Sequence, residues 1–239
     1  MSKFVQTGGR IVVGYVDISS DVSRMSLPFT AEYKDATNMA SGGWKEGMSG
    51  LAEAQWEGDG FEDPGEIATY LHDLFTSGSA VPVMVTDSYD IPDGTRVWTG
   101  LASSYSRMAG GGQVGDISPD KFMFKVNSKP YRGVVLASGT LSATSDTAPL
   151  LVGAFSSTQT LNVIIHQLTG TGDFDVAIQS DIDAAFLTPT DRSTSINLVT
   201  PEAYMALGIA GPITDTYWRI SFNRNSGGPL TYIATISIQ

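Results

Sequence analysis

Between Met25 and Tyr33 every second residue is apolar: Met25, Leu27, Phe29, Ala31 and Tyr33. A period of two fits a half-buried β-strand and no helix. The polar turn Asp17-Ile18-Ser19-Ser20 opens this strand, Ser23–Tyr33, and Pro28 within it predicts a sheet edge or a bulge. A second strand, Leu51–Gly58, sets Leu51 on one face and Ala52, Ala54 and Trp56 on the other. A helix follows over about residues 64–76. Asp63 is its N-cap, Pro64 its first residue, Glu66 completes a capping box and Gly78 stops it. Ile67, Tyr70, Leu71, Leu74 and Phe75 form one apolar stripe, so this helix must lie on a sheet. The strand–loop–strand–helix unit carries nothing that looks like chemistry. It suits a building part that pairs with copies of itself.

The remainder reads as strands. Residues 1–10 are polar, with Gly8-Gly9, and are expected to form a flexible or partner-dependent arm. Ile11–Val16 is the first strand. The loop Lys34–Gly50 is about 16 residues, beyond the ~12–15 at which loops inside compact domains become functional or disordered. Val81–Thr86, Thr95–Met108, Lys121–Val126 and Arg132–Leu136 are further strands, with Pro92-Asp93-Gly94 as a turn tip and Gly110-Gly111-Gly112 as a break. At 137–148 the composition turns to Ser, Thr and Gly. Charged residues number 28 in residues 1–137 and 11 in 138–239, which places a domain boundary there. Beyond it, short strands at Leu161–Leu168, Phe174–Ile178, Thr194–Leu198, Tyr217–Phe222 and Thr231–Ile238 predict an antiparallel β-sandwich. The fold class expected is mainly β.

Several functions lose their chemistry here. With no cysteine among 239 residues, disulfide scaffolds, thiolate metal sites and cysteine catalysis are excluded. A net charge of −11 opposes nucleic-acid binding, which rests on Lys/Arg neutralising phosphate. Met1-Ser2-Lys3-Phe4 precedes no long apolar run, so no signal peptide is expected, and no segment has the roughly 18 apolar residues of a membrane span. His72 and His166 lack a second ligand at metal spacing and read as structural. Gly47-Met48-Ser49-Gly50 misses the nucleophile elbow and precedes a strand; the triple glycine lacks the lysine and helix of a phosphate loop. The acidic pairs Glu62/Asp63, Asp173/Asp175 and Asp181/Asp183 are explained by capping and solvated turns, short of the six or more oxygens of a calcium site. Trp44 and Trp56 could stack on sugars, or serve as protein contacts. No catalytic residue, cofactor or metal is expected.

Three stretches in this order resemble the major tail (tail tube) proteins of long, non-contractile-tailed bacteriophages. They are Asp17-Ile18-Ser19-Ser20-Asp21-Val22 opening the alternating strand, Lys34-Asp35-Ala36-Thr37-Asn38-Met39, and Gly43-Trp44-Lys45-Glu46-Gly47-Met48-Ser49-Gly50-Leu51. The family has Asp-Leu-Ser, a Val-Thr-rich loop, then Trp-Arg/Lys-Glu and Gly-Leu. Here Ile18 replaces the leucine and Ala36-Thr37-Asn38 is a loose version of the loop. Arg132-Gly133-Val134-Val135-Leu136 looks like the family's closing strand, so the likeness spans about residues 11–136.

The resemblance implies two packed β-sheets with one flanking helix in residues 1–137, and an outward-facing β-sandwich in 138–239. It implies a virion protein, assembled in the host cytoplasm into stacked rings, usually hexameric, around a lumen. Its partners would be itself, the tape measure, the tail terminator and the distal tail protein, with DNA passing through without specific binding and no membrane involved. The contact loop between rings would be Thr37, Asn38, Met39, Gly42, Gly43, Trp44, Lys45 and Met48, with Trp44 as anchor. Acidic residues of the first half would give the lumen net negative charge. The alternatives are a carbohydrate-binding sandwich using Tyr204, Tyr217 and Trp218, or another virion protein such as a connector or decoration protein.

Overall fold

The computed structural model describes residues 9–20, 22–27, 29–35, 47–61, 69, 71–73, 76, 80–109, 119–126, 130–199 and 204–239. The strands are β1 (Arg10–Val13), β2 (Val16–Asp17), β3 (Val22–Ser26), β4 (Phe29–Asp35), β5 (Gly47–Phe61), β6 (Val81–Thr86), β7 (Arg96–Ala109) and β8 (Pro119–Val126). They continue with β9 (Tyr131–Leu141), β10 (Ser145–Asp146), β11 (Leu150–Leu151), β12 (Thr160–Asp181), β13 (Thr190–Asp191), β14 (Ile196–Leu198), β15 (Tyr204–Ala210) and β16 (Tyr217–Ile238). The chain is mainly β, as its alternation predicts. Of the expected helix, Thr69, Leu71–Asp73 and Thr76 are helical, with Leu71 buried; its cap residues lie outside the described set.

Two compact units form, and the chain weaves between them. One comprises Met1–Ser19, Val81–Gly100 and Tyr131–Gln239; the other comprises Ser20–Ala80 and Leu101–Pro130. The boundary expected at 137/138 therefore falls inside β9. That strand pairs with β16 from Gly133↔Ser237 to Leu141↔Leu230, and these long-range pairings override the local change in composition.

In the first unit, the expected strand Ile11–Val16 is instead a hairpin. Gly14 at φ 60° allows a two-residue turn between Val13 and Val16. Asp17 then accepts the N–H of Ser19 (3.1 Å) and pairs with Arg10 (2.8 Å). The larger departure concerns β12 and β16, read from sequence as four short strands. They form one 22-residue pair, Leu161↔Ile238 to Asp181↔Tyr217, with register shifts between Gln167 and Phe174. Thr169–Gly172 and Ser226–Pro229 look like turns locally, yet they face each other and fold the ribbon over on itself. Phe222 and Tyr232 show this. Ten residues of straight strand span roughly 33 Å, whereas their ring centroids lie 4.7 Å apart.

The folded ribbon makes the two layers of a sandwich. One layer runs β15–β12–β16–β9, using the first part of β12 and the last part of β16, and continues through β7, β6, β1 and β2. The other uses the last part of β12 and the first part of β16, flanked by β13 and β14 on one side and β10 and β11 on the other. Leu161, Val163, Ile165, Phe174, Ile178, Trp218, Ile220, Phe222, Leu230 and Ile236 share the core between them. Burying such side chains is worth ~1.5–3 kcal/mol each. On the opposite face of the first layer, Val12, Met84, Val97, Val135 and Ile233 form a second core. That sheet curls strongly. β12 and β1 stand five places apart, roughly 24 Å if flat, but His166 Nδ1 lies 2.6 Å from the Gly14 carbonyl oxygen.

Candidate assembly surface

The second unit is a four-stranded antiparallel sheet in the order β3/β4, β5, β8, β7. Ser26↔Glu57 and Phe29↔Ala54 keep one register on either side of residues 27–28, so β3 and β4 are one edge strand interrupted near Pro28. The predicted edge is thus real. β5 begins at Gly47 and pairs Gly47↔Asp35 and Met48↔Lys34, so the connection is residues 36–46, shorter than the loop 34–50 read from sequence. β8 pairs β5 on one side and β7 on the other. Among the described residues, β3/β4 has no strand on its outer side, and β7 meets β8 through residues 102–109.

Period-two alternation gives this sheet two unlike faces. Trp56 and Phe124 are fully buried on one, where the Phe124 ring lies 5.3 Å from that of Tyr105 and 5.5 Å from that of Phe122. Phe122 lies across its cross-strand partner Gly58, where any Cβ would overlap the ring. The other face is polar and crosses the strands in rungs: Arg24–Asp59–Lys121 and Ser26–Glu57–Met123–Ser106. A groove of about 470 Å3 runs over it. Arg24, Lys121 and Lys125 stand there against Glu57 and Asp59, a mixed-sign surface that resists collapse onto an apolar partner.

The residues singled out from sequence sort as follows. Thr37, Asn38, Met39, Gly42, Gly43, Trp44 and Lys45 lie outside the described residues; Met48 is in β5, just past the hairpin tip. Ser49 sits mid-strand opposite Tyr33, unlike an elbow nucleophile. Trp56 and Trp218 are core residues with no exposed surface, so neither can stack on a sugar, and Trp218 packs 5.8 Å from Phe155. Tyr204 is a strand residue opposite His166, and Tyr217 is half-buried. His72 is exposed on a helical turn.

His166 is wholly buried. Burial holds its pKa down at about 4 against the opposing hydrogen bond to Gly14, so the ring is neutral with its proton on Nδ1. Asp173 and Asp175 both accept from Asn197 Nδ2, at 2.6 and 3.0 Å. Glu62, Asp63 and Gly110–Gly112 fall outside the described set. No group of three or more metal-ligating side chains occurs among the described residues.

Sequence reasoning missed a half-buried polar cluster. Ser180 donates to Asp215 (2.6 Å), and Arg192 donates to both, at 2.7 and 2.6 Å. Burial pushes the Asp215 carboxyl up, but the bonds from Ser180 and Arg192 and the arginine charge outweigh it and leave it below the ordinary value. Nothing in the local sequence marks these three positions, which lie on separate strands and loops.

No family model matches the chain, and no curated protein is significantly similar to it. Among solved structures, a chain from the virion of a native gene transfer agent particle is 16% identical (TM-score 0.36), covering 50% of this chain and 92% of that one. The Dit protein of phage SPP1, described as a paradigm of hub adsorption apparatus in phages infecting Gram-positive hosts, is 13% identical (TM-score 0.37), covering 97% and 99%. An insecticidal delta-endotoxin from Bacillus thuringiensis is 10% identical (TM-score 0.29), covering 94% of this chain and 43% of the toxin. Likenesses this distant do not define a function.

Proposed function

We propose that this chain is the structural subunit of a bacteriophage tail tube, self-assembling into stacked rings, hexameric by the resemblance of residues 11–136, that conduct DNA. The observation that carries the reading is the four-stranded sheet whose β3/β4 edge has no strand on its outer side among the described residues. An open edge of this length is a hazard in a monomer. It becomes an interface if the β3/β4 edge of one copy pairs with the β7 edge of the next, a head-to-tail contact that closes into a ring. The chain would act in the virion after assembly in the host cytoplasm, beside tape measure, terminator and distal tail proteins, and without enzymatic activity.

An acidic lumen is part of the proposal. Residues 1–137 carry 11 basic and 17 acidic side chains, a net of −6, and 138–239 carry 3 and 8, a net of −5. Among the described side chains, the polar face of the sheet holds three cations and two carboxylates, so an acidic lumen would draw its excess from other carboxylates of the first half. The burial of Trp56 and Trp218 leaves the sugar-binding alternative without two of its aromatics. Negative-stain electron microscopy of the purified chain tests the proposal. Rings or tubes with a central channel support it; a monodisperse monomer at every concentration and salt condition refutes it.

A further inference from the structure

Strand β12 ends at Asp181 and β13 begins at Thr190. The loop between them is fixed at both ends by one carboxylate. Asp181 is 3% exposed and accepts the N–H of Asp183 (3.1 Å) and of Thr188 (3.0 Å). Asp183 in turn accepts from Ala185 (3.0 Å), and its carbonyl accepts the N–H of Phe186 (3.2 Å). Phe186 stands at φ 50°, a conformation that non-glycine residues avoid, and the Arg219 guanidinium lies 4.5 Å from its ring centre. This ordered loop holds two large aliphatic side chains in water, Ile182 at 69% and Leu187 at 81% exposure. Leu151, also exposed, shares the rung Leu151–Tyr217–Asp181 and so stands about 10 Å from the loop's anchor. A connection that merely reversed the chain would need neither the buried carboxylate nor the left-handed phenylalanine.

Charge decides what fits there. Residues 138–239 contain three cations, and all are engaged internally. Arg192 bonds Asp215 and Ser180, Arg219 bonds Asp146 and Gln179, and Arg224 bonds the carbonyls of Ser142 and Gly227. Beside the loop, Asp183 and Asp191 have no ion-pair partner among the described residues. The surface around the loop therefore offers aliphatic side chains and uncompensated carboxylates. A second copy of the same surface, an anionic lipid or a nucleic acid would each meet like charge.

We infer that residues 182–189, with Leu151, form a docking knob for a partner protein whose matching surface is an apolar pocket rimmed by Lys and Arg. This site does not depend on the tube reading. Isothermal titration of the full chain with a short amphipathic leucine–lysine peptide tests it, with a leucine–glutamate peptide and anionic and zwitterionic vesicles as comparators. The leucine–lysine peptide should bind, and Ile182→Ser with Leu187→Ser should weaken it about tenfold or more. Asp183→Asn with Asp191→Asn should weaken it severalfold and flatten its salt dependence. Both variants should unfold at the wild-type temperature, since the changed side chains are exposed. Equal binding by the serine variant, no binding at all, or binding of the leucine–glutamate peptide would overturn the inference. So would vesicle binding or self-association that disappears in the serine variant, which would assign the knob to lipid or to a second copy.

Discussion

The fold-over of the β12–β16 ribbon rests on glycine, and Gly227→Ala tests that directly. Gly227 has φ 80°, and a Cβ there would overlap the Thr171 carbonyl oxygen while standing 3.0 Å from its carbon and 3.1 Å from Gly172 Cα. The left-handed conformation costs a non-glycine residue ~1–2 kcal/mol. The overlap is with backbone on the facing strand, so relief requires the ribbon to shift, at ~1–3 kcal/mol for an overpacked site. A total of about 2–5 kcal/mol should lower the unfolding temperature of the unit containing the ribbon by about 10 °C, at ~2–4 °C per kcal/mol for a chain of this length. Gly208→Ala is the control, because its Cβ would meet only Thr160 Cγ2 at 3.7 Å and Asn162 Oδ1 at 3.8 Å. It should change stability by no more than about 0.5 kcal/mol. Scanning calorimetry on dilute protein, below any assembly threshold, reads both. If Gly227→Ala melts within a degree or so of wild type, the bend is not enforced by these glycines.

Three further outcomes are expected. His166 has a folded pKa of about 4 against an ordinary 6.5, so the unfolded chain takes up the proton first and stability falls as pH drops from 6.5 to 4, then levels. The loss should total about 3 kcal/mol, and pH-dependent denaturation of His166→Gln should lack that slope. Trp44→Ala should leave a folded chain that assembles poorly in electron micrographs; tubes of normal length would count against the contact-loop role. The fragment Met1–Ala137, which the composition change alone suggests is self-sufficient, should be insoluble on expression. It strips Gly133, Val134, Val135 and Ala137 of β16, and a soluble, folded fragment would refute that dependence.

Local chemistry was legible wherever the deciding contacts are local. Strand β6 falls at the residues its apolar run predicts, Val81–Thr86, and Pro28 announced an edge strand before any pairing was visible. Ala54 and Trp56 share a buried face, as alternation required. What sequence could not show is where a partner strand overrules a turn signal. Thr169–Gly172 reads as a turn until Ser226–Pro229 is placed opposite, 55 residues later by the Gly172↔Gly227 pair (227 − 172). The domain division failed for the same reason. β9 owes its place to β16 at the far end of the chain, a pairing with no imprint on composition. The docking loop left only Asp181 and Asp183 as a trace, read as solvated turn residues. Asp181 is instead buried as the loop's anchor. Of the two edges in the proposed contact, only that of β3/β4 has a residue signature, Pro28; the side of β7 is decided by topology alone.

Those edges also permit the most direct test. The chain has no cysteine, so introduced pairs report without background. Ser26 and Ser106 are exposed at opposite ends of one rung of the sheet, on β3 and β7. A disulfide needs Cα atoms roughly 4.4–6.8 Å apart, which two copies achieve here only if the β3 edge of one lies against the β7 edge of the next. The double variant Ser26→Cys with Ser106→Cys, and the neighbouring combinations of Ser23 or Ser26 with Ser103 or Ser106, cover small offsets in register. Under oxidation of assembled material, at least one pair should give a covalent ladder on non-reducing gels that ends at the closed ring, six subunits by the resemblance, while each single variant stops at the dimer or below. Assembled rings that give no ladder with any of the four pairs would contradict edge-to-edge pairing, and with it the account of how this chain builds a tube.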